Sequence, residues 1–200
     1  MKKILILDVE TTSTNEKKGC LLEFGATELD LETGETKVVF DSLILEESFN
    51  EDHWEYVRIK ERDGREPNFG VKGWIFGNSN LRPNDILKAP PASEILPKIQ
   101  ELINKYPDGV TAFNNVFDFK YLESRGIIIP KKLDCLMKIL TQTVKAKNKL
   151  GRIKWPKAQE AYDFFFPNKP RTELHRGADD SQMEALIAFE AYKIGVFKVD

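Results

Sequence analysis

The sequence has two cysteines, two histidines and no long apolar run, and these shortages exclude several classes of protein. Cys20 and Cys135 are too few for a disulfide framework or a cysteine-rich zinc site, so we expect both to be small core residues. No apolar run approaches the ~18 residues of a membrane-spanning helix, which argues against an integral membrane protein. The apolar start at residues 4–7 ends at Asp8, too early for the ~7–15 apolar residues of a signal peptide. We therefore expect a buried strand there and a cytoplasmic protein.

The composition is typical of a globular chain. Of its 200 residues, 41% are hydrophobic and 31% are charged. That apolar content is enough to bury a core and is too high for a disordered protein. We find no linker, repeat or low-complexity tract, so the sequence predicts a single domain over residues 1–200.

The formal net charge of −2 is distributed unevenly. Residues 131–157 contain nine basic residues and one acid, a net charge of +8 that leaves −10 for the rest of the chain. This division fits a basic surface for a polyanion beside an acidic site, and a solvated lysine-rich helix face explains it equally well. Within it, residues 145–157 are candidates to contact phosphates. Trp155 is a candidate to stack on a base, although we favour core packing for it.

Strands precede helices along the chain. Apolar and β-branched residues predict strands at 4–9, 20–31, 36–45 and 110–113. Apolar residues at helical spacing predict helices at 93–106, 117–125, 133–145, from 156 to 165 and 180–194. This order predicts an α/β domain with a mixed sheet.

Residues 46–92 follow neither pattern and resemble an insertion. Asn, Gly, Pro and charged residues are dense here. Asp63-Gly64 predicts the turn of a short hairpin whose first arm is Trp54 to Lys60. A connection this long in a compact domain is usually functional or contains small elements of its own.

Acidic residues stand at the ends of three predicted elements. Asp8 and Glu10 alternate along the first strand and so point to one face, where two carboxylates repel each other unless a cation lies between them. Asp118 lies where a helix follows the short strand at 110–113. Each motif alone has a plain structural explanation, a solvated strand end or a helix terminus.

The third motif places His175 ahead of Asp179 and Asp180, at the start of the last helix. Either acid alone explains itself as a helix cap, and the histidine as a surface residue. Taken with the first two motifs, four acids and one histidine form a set suited to two divalent cations and to a proton acceptor that works near neutral pH.

In this combination the sequence resembles the DEDD-type 3′–5′ exonucleases of the ribonuclease H-like fold, in the branch whose third motif is His-x4-Asp. That branch includes the polymerase III proofreading subunit, ribonuclease T and oligoribonuclease. The matching segments occur in family order at 6–12, 22–26, 114–118 and 175–180, and the resemblance covers residues 4–45 and about 86–191. It implies a mixed five-stranded sheet flanked by helices.

The resemblance also implies a reaction and its residues. The protein would be a metal-dependent exonuclease that shortens single-stranded DNA or RNA from the 3′ end, releasing nucleoside 5′-monophosphates by a two-metal-ion mechanism. Two divalent cations, Mg²⁺ or Mn²⁺, would be held by Asp8, Glu10, Asp118 and Asp180. His175 would be the general base.

Several residues are candidates for contact with the substrate. By the resemblance, Thr11 and Thr12 would lie against the terminal nucleotide, partly through backbone groups, and Glu10 would meet its 3′-hydroxyl. Phe113 and Asn114 stand where the family often has His-Asn, so Phe113 departs from one polar contact of the pattern and Asn114 keeps the other. Phe113 and Phe117 are candidates to stack on a base; core packing is the alternative for both, and we favour it for Phe117.

Other functions stay open at this point. A nucleic-acid-binding or interaction module of the same fold that has lost catalysis is the main alternative, and the complete set of four acids and a histidine argues against it. A subunit that edits for a polymerase, or a homodimer, is compatible with the same motifs. The motifs do not choose between DNA and RNA, because no contact to a 2′-hydroxyl is identifiable.

Overall fold

The structure is a computed structural model that describes residues 2–54 and 73–199. The predicted turn at Asp63-Gly64 and nearly all of its first arm lie outside these residues. The strands are β1 (Lys3–Thr11), β2 (Leu21–Asp30), β3 (Thr36–Leu43) and β4 (Val110–Thr111). The helices are α1 (Glu51–Trp54), α2 (Trp74–Asn78), α3 (Pro83–Ile86), α4 (Ala92–Asn104), α5 (Asn115–Glu123), α6 (Leu136–Ile139), α7 (Thr141–Val144), α8 (Ala158–Phe165) and α9 (Gly177–Lys193).

The four described strands form one mixed sheet in the order β3-β2-β1-β4. β2 is antiparallel to both β1 and β3, whereas β4 is parallel to β1. Because parallel strands end at the same edge of a sheet, the carboxyl end of β1 lies beside the turn from β4 into α5. The sheet therefore brings the first two acidic motifs to one edge.

Helices cover both faces of the sheet, because β1 buries its side chains alternately. Leu5, Leu7 and Val9 pack in one cluster with the apolar face of α4 and part of α5. Ile4 and Ile6 pack in a second cluster with α6, α8 and α9. Asp8 and Glu10 continue the second set along β1, so they lie on the face covered by α9.

The expected α/β fold with a mixed sheet flanked by helices is confirmed, but the prediction of five strands is wrong for the described residues. Next to β4, Lys132 makes only an isolated parallel bridge with Val110. The ladder does not continue beyond this bridge, and the next carbonyl, that of Leu133, accepts a hydrogen bond from the Asn115 side chain (2.9 Å). The chain then enters α6, and the single helix predicted at 133–145 is two short ones, α6 and α7.

Part of the insertion-like segment 46–92 has a core of its own. Ile75, Leu81 and Ile86 pack with Phe49 against the start of β2, where Cys20 and Leu22 are also buried. Both cysteines are buried and unpaired, as expected. Among residues 2–54 and 73–199, no helix has the length and apolar character of a membrane span.

Candidate active site

The carboxyl end of β1 carries the first two acids. Asp8 keeps some exposure, but its Oδ2 atom is enclosed and has no hydrogen-bond partner among the described residues. Burial raises the pKa of Asp8 well above its ordinary value, and the carboxylate of Glu10 adds to the rise. Burial raises the pKa of Glu10 in the same way, followed by repulsion from Asp180. Within the described residues, no ion pair balances the charge of Asp8.

Asp118 joins them from the first turn of α5. It is 3% exposed, and its Oδ1 accepts a hydrogen bond from the backbone N–H of Val9 (3.2 Å). That bond fixes α5 against β1 between the two β1 acids. Burial raises the pKa of Asp118 to about 7.

Asp180 organises the loop that carries His175. Its Oδ1 accepts the N–H of Leu174 (3.1 Å) and its Oδ2 accepts the N–H of Arg176 (2.9 Å), so the carboxylate holds the backbone on both sides of the histidine. His175 itself has a φ of 54°, in the left-handed region that non-glycine residues seldom adopt. Ligand atoms of Glu10, His175 and Asp180 lie within 4.8 Å of one another. Asp179, the neighbouring acid, pairs instead with Arg171.

A fifth acid, Glu184, was missed in the sequence. It is 4% exposed, and its Oε2 accepts the backbone N–H of Phe113 (2.9 Å). Burial raises its pKa well above the ordinary value, and the next cause is the charge of Asp118. The signal was present, because Glu184 follows Asp180 by four residues and so shares its helix face. We call Asp8, Glu10, Asp118, Asp180 and Glu184 the acid cluster.

An ion pair outside the acid cluster positions α9. Glu23, 1% exposed on β2, accepts hydrogen bonds from Arg176 Nε at 3.0 Å to each carboxylate oxygen and from Arg176 Nη2 at 2.8 Å. Below it, a Cβ added to Gly25 would lie 1.9 Å from the Gly177 carbonyl carbon. Only glycine lets the helix start approach β2 this closely. Glu23 is paired with Glu10 in the ladder between β2 and β1, so the ion pair that positions α9 lies next to an acid of the site.

An aromatic side chain from the insertion-like segment reaches the site. The ring of Trp74, at the start of α2, meets His175 edge-on with 5.0 Å between ring centroids. Arg176 also donates to the Asn80 side-chain oxygen (2.9 Å). Sequence patterns gave no hint of this, because the segment lacks periodicity.

The predicted substrate residues differ in how free their side chains are. The Thr11 hydroxyl donates to the Ser13 carbonyl (2.9 Å), and the buried Thr12 hydroxyl accepts the Cys20 N–H (2.8 Å), so both serve their own loop. Asn114 precedes α5 and makes no side-chain capping bond. Phe117 packs against the core and the Tyr121 ring, with 5.1 Å between centroids.

The acid cluster fits divalent metal ions. Its donors are carboxylate oxygens with one imidazole beside them, which suits Mg²⁺ or Mn²⁺. The enclosed, unpartnered Oδ2 of Asp8 is an acceptor in need of a cation. No cationic side chain contacts the carboxylates of Asp8, Asp118 or Glu184 among the described residues.

Comparisons with known proteins identify the fold. No protein-family model matches the sequence, and no curated protein matches it either. A full-length 3′-exonuclease superposes with a TM-score of 0.67 at 16% identity over 100% of this chain and 63% of its own. The nuclease domain of 3′hExo, a DEDDh family member bound to rAMP, gives 0.64 at 16% identity over 100% and 96%.

Exonuclease I of E. coli, in complex with a dA16 oligonucleotide, gives a TM-score of 0.62 at 15% identity over 96% of this chain and 41% of its own. This chain therefore spans less than two thirds of the full-length 3′-exonuclease and of exonuclease I. The likeness shows that the chain shares the fold of these exonuclease structures, as the resemblance in the sequence implied.

Proposed function

We propose that the protein is a 3′–5′ exonuclease that hydrolyses single-stranded DNA or RNA to nucleoside 5′-monophosphates. The observation that carries this proposal is the convergence of Glu10, His175 and Asp180 within 4.8 Å, beside Asp8, whose pKa is raised by burial and further by the charges of Glu10 and Asp118. Carboxylates from β1, α5 and α9 are therefore close enough to repel one another, and the fold is that of known exonucleases. Such an arrangement serves phosphodiester hydrolysis better than any structural purpose, because the buried charges destabilise the fold.

Two divalent cations, Mg²⁺ or Mn²⁺, would be held by Asp8, Glu10, Asp118 and Asp180. When bound, they would supply an activated water and stabilise charge on the leaving oxygen. Glu184 would act from behind these ligands as a positioning residue, because it joins α9 to the turn that precedes α5.

His175 would accept the proton of the attacking water, acting as the general base. Imidazole is the commonest general base of enzymes that work near neutral pH, which suits that role. The backbone bonds to Asp180 and the edge contact with Trp74 restrict where the imidazole can lie. An imidazole restricted in this way would stand ready beside Glu10 before substrate binds.

Thr11 and Thr12 would contact the terminal nucleotide through backbone groups, since their hydroxyls are engaged within the loop. Glu10 would meet the 3′-hydroxyl, and Asn114 and Phe117 would line the strand's entry to the site. The activity would reside in a single domain over residues 1–200, acting in the cytoplasm alone or beside a polymerase.

One assay tests the proposal directly. Single-stranded DNA and RNA labelled at the 5′ end are incubated with the protein and Mg²⁺, Mn²⁺ or a chelator. We expect a metal-dependent ladder that shortens from the 3′ end, and the preferred substrate names the nucleic acid. Binding without any cleavage would instead support the alternative, a catalytically silent module of the same fold.

A further inference from the structure

A short hairpin at residues 145–155, which we call the basic hairpin, stands apart from the acid cluster. The N–H of Asn148 donates to the Arg152 carbonyl (2.9 Å), and the N–H of Lys154 donates to the Ala146 carbonyl (2.8 Å). An antiparallel bridge joins Lys147 to Ile153 between these bonds. The Asn148 side-chain oxygen accepts two further hydrogen bonds, from the N–H groups of Leu150 and Arg152, so hydrogen bonds hold the hairpin together through its turn.

The basic hairpin presents cations that nothing in the described chain neutralises. Lys145, Lys147, Lys149 and Arg152 are exposed, and none of them forms an ion pair with a described residue. Elsewhere lysines commonly find acids, as Lys132 does with Glu123. Four exposed cations on one short hairpin create a positive local potential that attracts a polyanion.

Large apolar side chains accompany these cations. Leu150 is 78% exposed, Trp155 60% and Ile153 47%. The expectation that Trp155 packs in the core is wrong, because its side chain belongs to none of the three core clusters. Lys147 lies opposite Ile153, and Trp155 follows Ile153 by two residues on the same arm, so the side chains of these three residues share a face of the hairpin. An aromatic ring beside lysines is the pairing that single-stranded nucleic acid favours.

The hairpin is connected through α8 to the loop that carries His175. Its second arm runs into α8, where the Gln159 side chain donates to the Arg171 carbonyl (2.8 Å) and accepts the Glu173 N–H (2.9 Å). Glu173 is two residues before His175. Lys157, between hairpin and helix, is close enough to lower the pKa of Glu173 against the upward effect of burial. A strand leaving the acid cluster therefore meets positive charge along this path.

We propose that the basic hairpin binds the single strand upstream of the 3′ nucleotide, with its lysines and Arg152 on the phosphates and Trp155 stacked on a base. This inference rests on the proposed exonuclease function and adds a second contact region for its substrate. The hairpin would retain long strands between successive cleavages and would be irrelevant to a dinucleotide, which has no upstream part.

The test compares two triple variants of equal charge change. Lys147→Gln with Lys149→Gln and Arg152→Gln removes the hairpin cations. The control changes Lys37, Lys105 and Lys198 to Gln. Lys37 lies at the start of β3, Lys105 precedes β4, and Lys198 lies beside the start of β1, so all three are at the end of the sheet opposite the acid cluster. Binding of a labelled single-stranded 20-mer is measured in chelator over a series of salt concentrations.

We expect the hairpin variant to weaken binding roughly tenfold and to reduce the slope of log K against log salt by about 2, since each lost phosphate contact removes ~0.7 for single strands. The control should leave the slope near that of the unaltered protein. Trp155→Ala should weaken binding roughly fivefold to a hundredfold with the slope unchanged, because stacking involves no counterions. Equal slopes for the two triple variants would overturn the proposal.

A cleavage assay separates the two proposals. The hairpin variant should hydrolyse a dinucleotide at the unaltered rate and a 20-mer less processively. If the unaltered protein binds through the hairpin yet cleaves nothing, the exonuclease function fails and the binding site stands. If the hairpin variant cleaves and binds a 20-mer as the control does, the hairpin proposal fails and the exonuclease function stands.

Discussion

The acid cluster and the basic hairpin have opposite charges and also opposite environments. Asp118, Asp180 and Glu184 are each no more than 4% exposed, whereas Leu150 and Trp155 on the hairpin are more than half exposed. Burial makes every charge in the cluster expensive, and raised carboxyl pKa values express that cost. The hairpin cations stay hydrated and cost little.

This difference separates what each region can do. Preorganised, desolvated carboxylates bind small divalent ions and hold reacting groups to a fraction of an ångström. Hydrated cations bind a polyanion loosely, over many geometries, and with strong dependence on salt. Changes in the cluster should therefore abolish turnover with little effect on strand binding in chelator. Changes in the hairpin should weaken strand binding with little effect on the hydrolysis of a dinucleotide.

Replacing Asp118 with Asn should have the largest effect. The amide oxygen can still accept the Val9 N–H, so the fold keeps its contact while the negative charge is removed. We expect activity to fall roughly a thousandfold or more, and the melting temperature in chelator to rise, because a buried charge has been removed. Asp85→Asn, at an exposed position in α3, is the control and should alter neither. A lower melting temperature with retained activity would show that Asp118 is structural.

Replacing His175 with Ala tests the proton acceptor. Loss of a general base should lower the turnover number about 10²–10⁴-fold at saturating metal, with strand binding in chelator unchanged. His53→Ala is a matched control, because the other histidine lies in α1 and, among the described residues, its imidazole hydrogen-bonds to Asn50 within its own turn. Unchanged turnover in the His175 variant would remove this residue from the mechanism.

The sequence predicted the parts of the fold and site that depend on local pattern. Alternation along β1 places Asp8 and Glu10 on one face, and the mixed sheet and its flanking helices follow from the order of elements. In the described residues the expected fifth strand is reduced to the isolated bridge between Val110 and Lys132. A resemblance between families implies the number of strands but does not show how far each ladder extends in this chain.

Residues missed in the sequence share a different cause. Glu184 has the appearance of an ordinary solvated acid on a helix, and only tertiary packing buries it. Trp74 lies in a segment without periodicity, so nothing local indicates that it reaches His175. Trp155 was expected to pack in the core, whereas on the basic hairpin it is 60% exposed. In each case the environment, and not the residue type, decides the role.

A smaller effect contrasts the two regions by pH. The pKa of Asp118 is raised to about 7 from an ordinary value of 3.8, so the folded protein retains a proton that the unfolded chain releases near pH 4. In chelator, stability should therefore be full below about pH 4 and fall as the pH rises towards 7, by at most ~1.4 kcal/mol per pH unit for this group. Melting temperatures measured in chelator should decline by a few degrees per unit. Mg²⁺ should reverse the decline by binding the ionised carboxylates of the folded state.

The hairpin triple variant should keep this pH dependence in full. The two lysines and the arginine that it lacks stay charged throughout this pH range in the unaltered protein, so they do not contribute to the dependence. Asp118→Asn should lessen it, since the amide has no proton to release while Asp8, Glu10 and Glu184 keep theirs. A melting temperature that is independent of pH in chelator, or one that rises between pH 4 and 7, would mean that the carboxylates are neutralised by something other than protons or metal. The electrostatic contrast between the buried cluster and the hydrated hairpin would then lose its basis, because the acids would no longer be held apart from compensating charge.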